Sequence, residues 1–209
     1  MQIELALQKA GVPYIIRGGI RFFEQAHVKD VVAYLRVLAN PADEAAWQRM
    51  LRLEKGIGEK TAAALIQTLV HNSPQPSLIL REGDRSVPPL RVRGGEGALR
   101  NVLDRVEKIK TLKEVDKMIL HLLETFYEEY AEAQFENARD RLEDLKQLAI
   151  FANSYETLDQ FLADTSLSEG FRGERASTGE PEAQKEYLVL STIHQAKGLE
   201  WRNVFLVGL

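Results

Sequence analysis

Short apolar segments typical of β-strands stand near both ends of this chain, and helical patterns occupy the long stretch between them. Residues 12–17 (VPYIIR) are rich in β-branched side chains and end at Gly18-Gly19, which predicts a strand and a turn. Residues 187–193 (YLVLSTI) and 204–207 (VFLV) are continuous apolar runs, the pattern of strands buried on both faces. One strand before a helical region and two after it predict an all-helical insertion within an α/β domain.

Apolar residues at three- and four-residue spacing predict the first helices of the insertion. One stripe within residues 28–38 is terminated by Asn40-Pro41. Asp43 is placed to cap the next helix, at about residues 44–53. The side chains of that helix predicted to face inward are Trp47, Met50 and Leu51.

The same periodicity predicts further helices, and segments without it predict loops. Glycines at residues 56 and 58 interrupt the pattern, so residues 44–70 are predicted to form a helix, a tight turn and a helix. A capping box at Thr111 and Glu114 is predicted to open a longer helix. The other predicted helices cover residues 98–110, 137–153 and 157–163. The predicted loops cover the proline-rich residues 71–97 and the polar residues 165–186.

Net charge limits how this chain can bind nucleic acid. The formal charge is -4 and the pI about 5.7, so the surface is not coated with positive charge and any DNA binding must be local. Residues 49–60 carry four basic side chains against two acidic ones, a balance of +2, whereas residues 124–144 carry eight acids against two arginines, a balance of -6. On charge alone, both stretches are best explained as solvated helix surfaces.

Composition excludes several kinds of site. The chain has no cysteine, which excludes disulfides, iron–sulfur clusters and thiolate zinc sites, and its four histidines are scattered, so no metal site is predicted. No apolar stretch approaches the roughly 18 residues that a membrane span needs. The N-terminus, MQIELALQKA, lacks the pattern of an export signal, so a cytoplasmic protein without a membrane partner is predicted.

The turn Gly56-Ile57-Gly58 between two predicted helices has a use in DNA binding. Glycines let the backbone approach a phosphate closely, and the next helix presents free N–H groups and the positive end of its dipole. Lys60 and Thr61 add a charge and a hydroxyl, which predicts a contact with duplex backbone that does not read sequence. A plain tight turn is the alternative, and the adjacent Glu54 and Glu59 are expected to weaken phosphate binding.

A second candidate site is the stretch TIHQAKGLEW at residues 192–201, which lies between two apolar runs. Polar side chains at the end of a buried strand stand where α/β sheets bind ligands. The side chains that can donate to a phosphate or stack against a base are Thr192, His194 and Gln195. Gly198 permits close approach of the backbone, and Glu200 can accept hydrogen bonds from a ribose. Taken singly, these residues are also explained as a helix cap, a surface histidine and a solvated pair of Lys197 with Glu200.

Together, these residues resemble a known family. TIHQAKGLEW followed by an apolar strand is similar to motif V of the UvrD/Rep/PcrA helicases of superfamily 1. Residues 11–51 are similar to the family stretch built around a GG-x-RFFE-x-x-EIKD core and an AYLR-x-x-x-NP-x-D helix. GIGEKTAAAL, residues 56–65, resembles the helix-hairpin-helix of the family's 2B subdomain, and RLEDLKQL, residues 141–148, falls where the family has RxENLxEL. The matches stand in the family's order and cover most of the chain.

The resemblance implies a mostly α fold with a small α/β part. A helical 2B-like domain, containing the helix-hairpin-helix, would be inserted in a fragment of a parallel-sheet, RecA-like domain of the P-loop NTPase kind, named 2A. The implied boundaries are residues 1–40 for the N-terminal part of 2A, 41–186 for 2B, and 187–209 for the strand-loop-strand of motif V. The implied activity is that of an ATP-dependent helicase moving 3′ to 5′ along single-stranded DNA in repair or replication, with ATP and Mg as cofactors of the whole protein.

The resemblance also implies a role for each candidate site residue. Single-stranded DNA would be contacted by Thr192, His194 and Gln195, and Arg21 and Phe22 would lie beside its path. The nucleotide would be contacted by Gly198 and Glu200, with Glu200 on the ribose and Lys197 in support. Duplex backbone ahead of the fork would be held by Gly56, Ile57, Gly58, Lys60 and Thr61.

The chain departs from the family's patterns in several places. His27 stands where the family usually has Glu, Trp201 where Phe is commoner, and Glu54 precedes a turn that the family usually keeps basic. The 209 residues contain no G-x-x-x-x-G-K-[ST] phosphate loop, acidic metal-binding motif, glutamine motif or arginine-bearing motif VI. Phosphoryl transfer needs those groups, so this chain is expected not to hydrolyse ATP alone. Its expected partners are DNA, single-stranded and at a duplex junction, and the rest of a helicase chain.

Two other functions fit the sequence. One is a stand-alone helical DNA-binding or regulatory module, and the other is a helicase–nuclease subunit of the RecB or AddA type. The short span between the RFFE region and motif V favours UvrD-like chains over the longer helicase–nucleases.

Overall fold

Helices form most of the described chain, which comprises residues 2–17, 22–71, 96–170 and 187–207 of a computed structural model. The elements before residue 72 are α1 (Gln2–Lys9), β1 (Tyr14–Arg17), a 3-10 turn (Phe22–Glu24), α2 (Ala26–Ala39), α3 (Glu44–Arg52), α4 (Glu59–Ile66) and its π-helical extension (Gln67–His71). The later elements are α5 (Glu96–Lys110), α6 (Val115–Leu122), a π-turn (Leu123–Tyr127), α7 (Glu128–Gln134), α8 (Ala138–Ala152), α9 (Leu158–Gly170), β2 (Leu188–Ser191) and α10 (Ile193–Ala196). The mostly α fold with a small sheet is therefore confirmed.

β1 and β2 pair in parallel although most of the chain separates them. Tyr14 stands opposite Leu188, and Arg17 stands opposite Ser191. The strands predicted within residues 12–17 and 187–193 are thus present. Parallel neighbours need a crossover connection, and here the helical part of the chain lies between them in sequence.

The apolar run at residues 204–207 forms no strand, so that prediction is wrong. All four of its side chains are exposed, Phe205 to 83%. β2 is not buried on both faces either, since Leu188 is exposed and Val189 half-buried. Hydrogen bonds to a neighbouring strand hold a strand in place, and hydrophobicity alone does not supply that neighbour.

Capping signals locate the start of α3 but not that of α6. Asp43 caps α3 as predicted, since its Oδ1 accepts the N–H of Ala46 at 2.9 Å. The predicted capping box at Thr111 and Glu114 is wrong. The Thr111 hydroxyl donates to the carbonyl of Lys108 at the end of α5, and no side chain caps α6.

α9 begins where the sequence predicts but runs further. The Thr157 hydroxyl accepts the N–H of Gln160 at 3.3 Å, as a cap should. The helix continues to Gly170 instead of ending near Ala163, so the loop predicted from residue 165 is wrong as far as 170. Residues 171–186 lie outside those described, as do 72–95 of the other predicted loop.

One hydrophobic cluster forms the core of the described helices. α2 lies at its centre and packs against α3, α5, α6, α8 and α9. The side chains of α3 that face this core, as predicted, include Trp47, Met50 and Leu51. The core continues from α2 into α3 across residues 40 and 41, and the domain boundaries stay predictions.

His27 is a buried polar residue that ties α2 to α8. Its Nε2 lies 3.1 Å from Oδ2 of Asp144, and its Nδ1 lies 3.3 Å from Nη1 of Arg141. Arginine can only donate, so Nδ1 accepts and the ring proton sits on Nε2, which donates to Asp144. The ring is therefore neutral. Burial, with the positive charge of Arg141, lowers the pKa of His27 to about 4.

We expect the stability of the chain to fall as the pH drops below about 6.5, the ordinary pKa of histidine. Between that pH and the folded-state pKa of about 4, the unfolded chain binds a proton at His27 that the folded chain does not bind. The free energy of unfolding therefore decreases, by at most about 1.4 kcal/mol per pH unit. Burial raises the pKa of Asp144, which opposes this trend and makes the net slope shallower.

Urea denaturation at a series of pH values measures this slope. His27→Gln cannot take up the proton, so the variant is expected to lose most of the slope between neutral pH and the acid range. A variant with the wild-type slope would contradict the role of His27.

Candidate nucleic-acid interface

The glycine turn between α3 and α4 is shaped by its backbone. Gly56 adopts a φ of +85°, the left-handed conformation that favours glycine. The N–H of Ile57 donates to the Glu54 carbonyl at 3.2 Å. Gly58 is the extended N-cap of α4, and no side chain caps that helix. The helix, tight turn and helix predicted for residues 44–70 are therefore present.

The turn exposes most of the residues predicted to contact duplex DNA but hides one of them. Gly56, Gly58 and Lys60 are exposed, and Thr61 is half-buried. The first-turn N–H groups of α4 have no acceptor within the helix. The Ile57 side chain is instead buried in the core at 7% exposure, and its N–H is already bonded, so Ile57 anchors the turn. Its contact with duplex DNA stays a prediction.

Glu54, which the sequence predicts to weaken phosphate binding, is paired inside the protein. Nη1 of Arg105 donates to Oε1 of Glu54 at 2.6 Å and to the Tyr34 hydroxyl at 2.8 Å. The guanidinium lies over the ring of Phe126, 3.8 Å from its centroid. Both charged side chains are mostly buried, Arg105 with 15% and Glu54 with 8% of its side chain exposed.

Sequence reasoning missed Arg105. In the sequence, 51 residues separate it from Glu54, and no local pattern joins the two. Its only signal is its position beside the apolar stripe of α5, where Val102, Val106 and Ile109 are buried.

Arg49 is held by a second carboxylate, that of Asp30. Nε of Arg49 donates to Oδ1 of Asp30 at 2.7 Å, and its Nη2 donates to the Ala26 carbonyl at 3.2 Å. The Tyr127 hydroxyl, in the π-turn, donates to Oδ2 of Asp30 at 2.7 Å. Burial and the nearby carboxylate raise the pKa of Tyr127, so its hydroxyl stays protonated as a donor.

Two of the charged side chains counted over residues 49–60 are held in these ion pairs. The pairs withdraw one cation and one anion, Arg49 and Glu54, from the charges counted over residues 49–60. The exposed charged side chains in that range are Arg52, Lys55, Lys60 and Glu59. Three basic groups against one acidic group keep the balance at +2.

The predicted nucleotide residues and three of the five predicted single-strand residues lie in one loop, residues 192–200, at the carboxyl end of β2. The carbonyl of Thr192 accepts the N–H of Ala196 at 3.0 Å, which closes the single turn of α10. α10 ends at Ala196, and Gly198 in the turn that follows has a φ of +81°, again a conformation that favours glycine. The side chains of Thr192, Lys197 and Glu200 are exposed. Those of His194 and Gln195 lie outside the side chains described.

The parallel register places this loop at one edge of the sheet. Arg17 stands opposite Ser191, so β1 and β2 end at the same edge. Ligands bind outside the carboxyl ends of parallel strands. Arg21, the next predicted contact with the single strand, lies outside the described residues.

Phe22 belongs to the core of the described helices. Its ring is 0% exposed and lies edge-on to Phe23, with centroids 5.1 Å apart. Its N–H donates to the carboxylate of Glu4, which lies 3.1 Å away and is itself buried. The ring is therefore not exposed to solvent, and its place beside a DNA strand stays a prediction.

The whole chain matches one protein family. A family model described as the UvrD-like helicase C-terminal domain covers residues 1–209. The chain belongs to this family. It is 31% identical to DNA helicase II of Escherichia coli strain K12, 29% identical to ATP-dependent DNA helicase UvrD1 of Mycobacterium tuberculosis strain H37Rv, and 27% identical to ATP-dependent DNA helicase PcrA of Bacillus subtilis strain 168.

This UvrD-like domain is shorter than those relatives. Each match covers 99% of the chain but only 29% or 30% of the relative. Within its described ranges, no helix is long and apolar enough to cross a bilayer. The same ranges hold no group of three or more His, Cys, Asp or Glu side chains that could bind a metal ion.

Proposed function

We propose that this chain is part of an ATP-dependent DNA helicase that moves 3′ to 5′ along single-stranded DNA. In this proposal it supplies DNA contacts and regulation, and does not hydrolyse ATP by itself. Membership of the UvrD-like family supports the assignment, as do the names of the relatives. Residues 41–186 would be the 2B-like accessory domain, and residues 1–40 and 187–209 would belong to the motor. The pairing of β1 with β2 supports that division, because it joins the two flanking segments in one sheet.

The loop at the carboxyl end of β2 is proposed to meet both the nucleotide and the single strand. The residues assigned to the single strand are Thr192, His194 and Gln195. The residues assigned to the nucleotide are Lys197, Gly198 and Glu200. Nothing lies within 4 Å of where a side chain would stand on Gly198, and the exposed Glu200 carboxylate can accept hydrogen bonds from ribose hydroxyls, so the loop fits part of a nucleotide site.

ATP, when bound, supplies the phosphoanhydride whose hydrolysis drives movement. In this proposal the chain itself carries no step of that hydrolysis. Its contribution at this loop is to bind and orient the nucleotide.

The turn between α3 and α4 is proposed to hold duplex backbone ahead of the fork, as part of a helix-hairpin-helix. One observation carries this assignment: α4 starts uncapped and exposed at Gly58, beside exposed cations, while Glu54 is already paired with Arg105. Free N–H groups and the helix dipole favour a phosphate at this position. Nothing lies within 4 Å of where a side chain would stand on Gly56 or Gly58, so a phosphate can approach closely.

We expect Lys60→Glu to weaken the binding of duplex DNA by roughly tenfold, because it replaces an attractive charge by a repulsive one beside the phosphate. The wild-type chain should bind with a Kd of about 10⁻⁴ to 10⁻⁶ M, as non-specific backbone contacts do. The slope of log affinity against log salt should shrink by about 1 for the lost phosphate contact. Fluorescence anisotropy of a labelled duplex across a salt series measures all three quantities.

Lys146→Glu is the matched control, since it alters net charge equally at an exposed position on α8. It should keep the duplex affinity within about twofold of wild type, because screening limits its effect over distance. Equal losses in both variants would show a global charge effect and contradict the assignment of the turn. A salt-insensitive or sequence-specific complex would also contradict it.

A further inference from the structure

Arg105 forms an ion pair with a residue that lies close in sequence to the turn that we assign to duplex DNA. Its partner Glu54 stands two residues before Gly56 and four before Gly58, the N-cap of α4. The guanidinium is fixed on three sides, by the Glu54 carboxylate, the Tyr34 hydroxyl and the Phe126 ring. A cation held in this way has little freedom to leave its carboxylate.

The pairing changes what a phosphate meets at α4. An unpaired carboxylate beside the first turn of a helix would repel an anion that the helix dipole attracts. With a cation 2.6 Å from the carboxylate, the two charges nearly cancel at the distance of a bound phosphate. The charged side chains left exposed around the turn are then mainly basic.

We propose that Arg105 is a positioning residue for duplex-DNA binding, which cancels the charge of Glu54 and fixes the turn so that the start of α4 can accept a phosphate. The proposal rests on the proposed function of the turn. Arg105 does not itself touch DNA in this account, because its side chain is mostly buried.

A charge-cancelling role and a purely structural role of Arg105 predict opposite changes in duplex affinity for the variant Glu54→Gln. If Arg105 cancels charge, Glu54→Gln leaves its positive charge uncompensated and tightens duplex binding, by about three- to tenfold for one unit charge near a phosphate. Arg105→Met fills similar space but exposes the negative charge of Glu54, so it weakens binding by a similar factor. The double variant E54Q/R105M returns to within about twofold of wild type. If the pair only braces the fold, both single variants weaken binding and the double variant does not recover.

The experiment is fluorescence anisotropy of a labelled duplex with the four proteins at low salt. Circular dichroism melting shows which variants are folded. If Arg105→Met does not fold, Glu54→Gln must still tighten binding, and Arg105→Lys, which keeps the charge, must stay within about twofold of wild type. Single-stranded DNA of the same length is the second probe. The affinity for it should not change among the proteins that differ in charge at residues 54 and 105.

The outcomes of this experiment separate the role of Arg105 from the proposed function of the turn. Glu54→Gln that leaves duplex affinity unchanged or weakens it overturns the role of Arg105. If Lys60→Glu weakens duplex binding but the variants at Glu54 and Arg105 do not change duplex affinity in the predicted directions, only the role of Arg105 fails. If the wild type binds no duplex, or Lys60→Glu has no effect, the proposed function of the turn fails and this inference fails with it.

Discussion

Asp30→Ala is expected to lower the free energy of unfolding by about 2–4 kcal/mol. Asp30 is buried, with 7% of its side chain exposed, and its two oxygens accept from Arg49 and from Tyr127, each at 2.7 Å. Alanine leaves the buried Tyr127 hydroxyl without its acceptor and separates Arg49 from its counter-charge. Arg49 is 37% exposed and can turn toward water, so the loss should lie below that of a fully buried ion pair.

Urea denaturation followed by circular dichroism measures this effect. Asp104→Ala is the matched control, because Asp104 is an exposed aspartate on α5, and it should change stability by less than about 0.5 kcal/mol. Tyr127→Phe removes only one of the two bonds to Asp30 and should cost about 1 kcal/mol. An Asp30→Ala loss no larger than that of the control would show that the bridge between α2, α3 and the π-turn contributes nothing to stability.

Phe22→Ala is expected to cost about 3–5 kcal/mol of stability, because the ring is completely buried and alanine leaves a cavity. Phe205→Ala is the matched control, since Phe205 is 83% exposed and its removal should change stability by less than about 0.5 kcal/mol. Thermal and urea denaturation of both variants give the comparison. Similar losses in the two variants would contradict the placement of Phe22 in the core.

Phe22→Leu tests whether the ring also contacts DNA. Leucine keeps most of the buried apolar volume, so the variant should stay folded with a loss of roughly 1–1.5 kcal/mol. Because the ring is not exposed, any affinity of the chain for single-stranded DNA should be unchanged. A folded Phe22→Leu protein that binds single-stranded DNA several-fold more weakly would restore the contact that the family resemblance implies.

The helices that pack into the core could be predicted well from the sequence, because an apolar stripe reports which face of a helix is buried. Trp47, Met50 and Leu51 lie on the buried face that the pattern indicates. The Asp43 cap was also predictable, since a cap depends on residues within one turn. The apolar run at residues 204–207 was not, because whether an apolar run forms a strand depends on a partner that the run does not specify.

The contact between His27 and Asp144 shows the same limit. The family's patterns have Glu at the first position and Asn at the second, and this chain has a different residue at each. The structure places the two side chains 3.1 Å apart although 117 residues separate them in sequence. Carboxylates at both positions would repel each other at that distance, whereas a neutral imidazole donates to Asp144. Neither departure could be interpreted without the other.

The candidate sites also combine features that could be predicted from the sequence with features that only the structure shows. Sequence by itself determined the family, the tight turn between two helices at Gly56 and Gly58, and the run of polar residues after β2, because each depends on residues that are close in the chain. Only the tertiary structure decided that Ile57 and Phe22 are core residues, that β1 and β2 end at one edge, and that Glu54 is neutralised by Arg105. The pairs Glu54–Arg105, Asp30–Tyr127 and His27–Asp144 join residues that are 51, 97 and 117 positions apart, and local patterns do not encode such contacts.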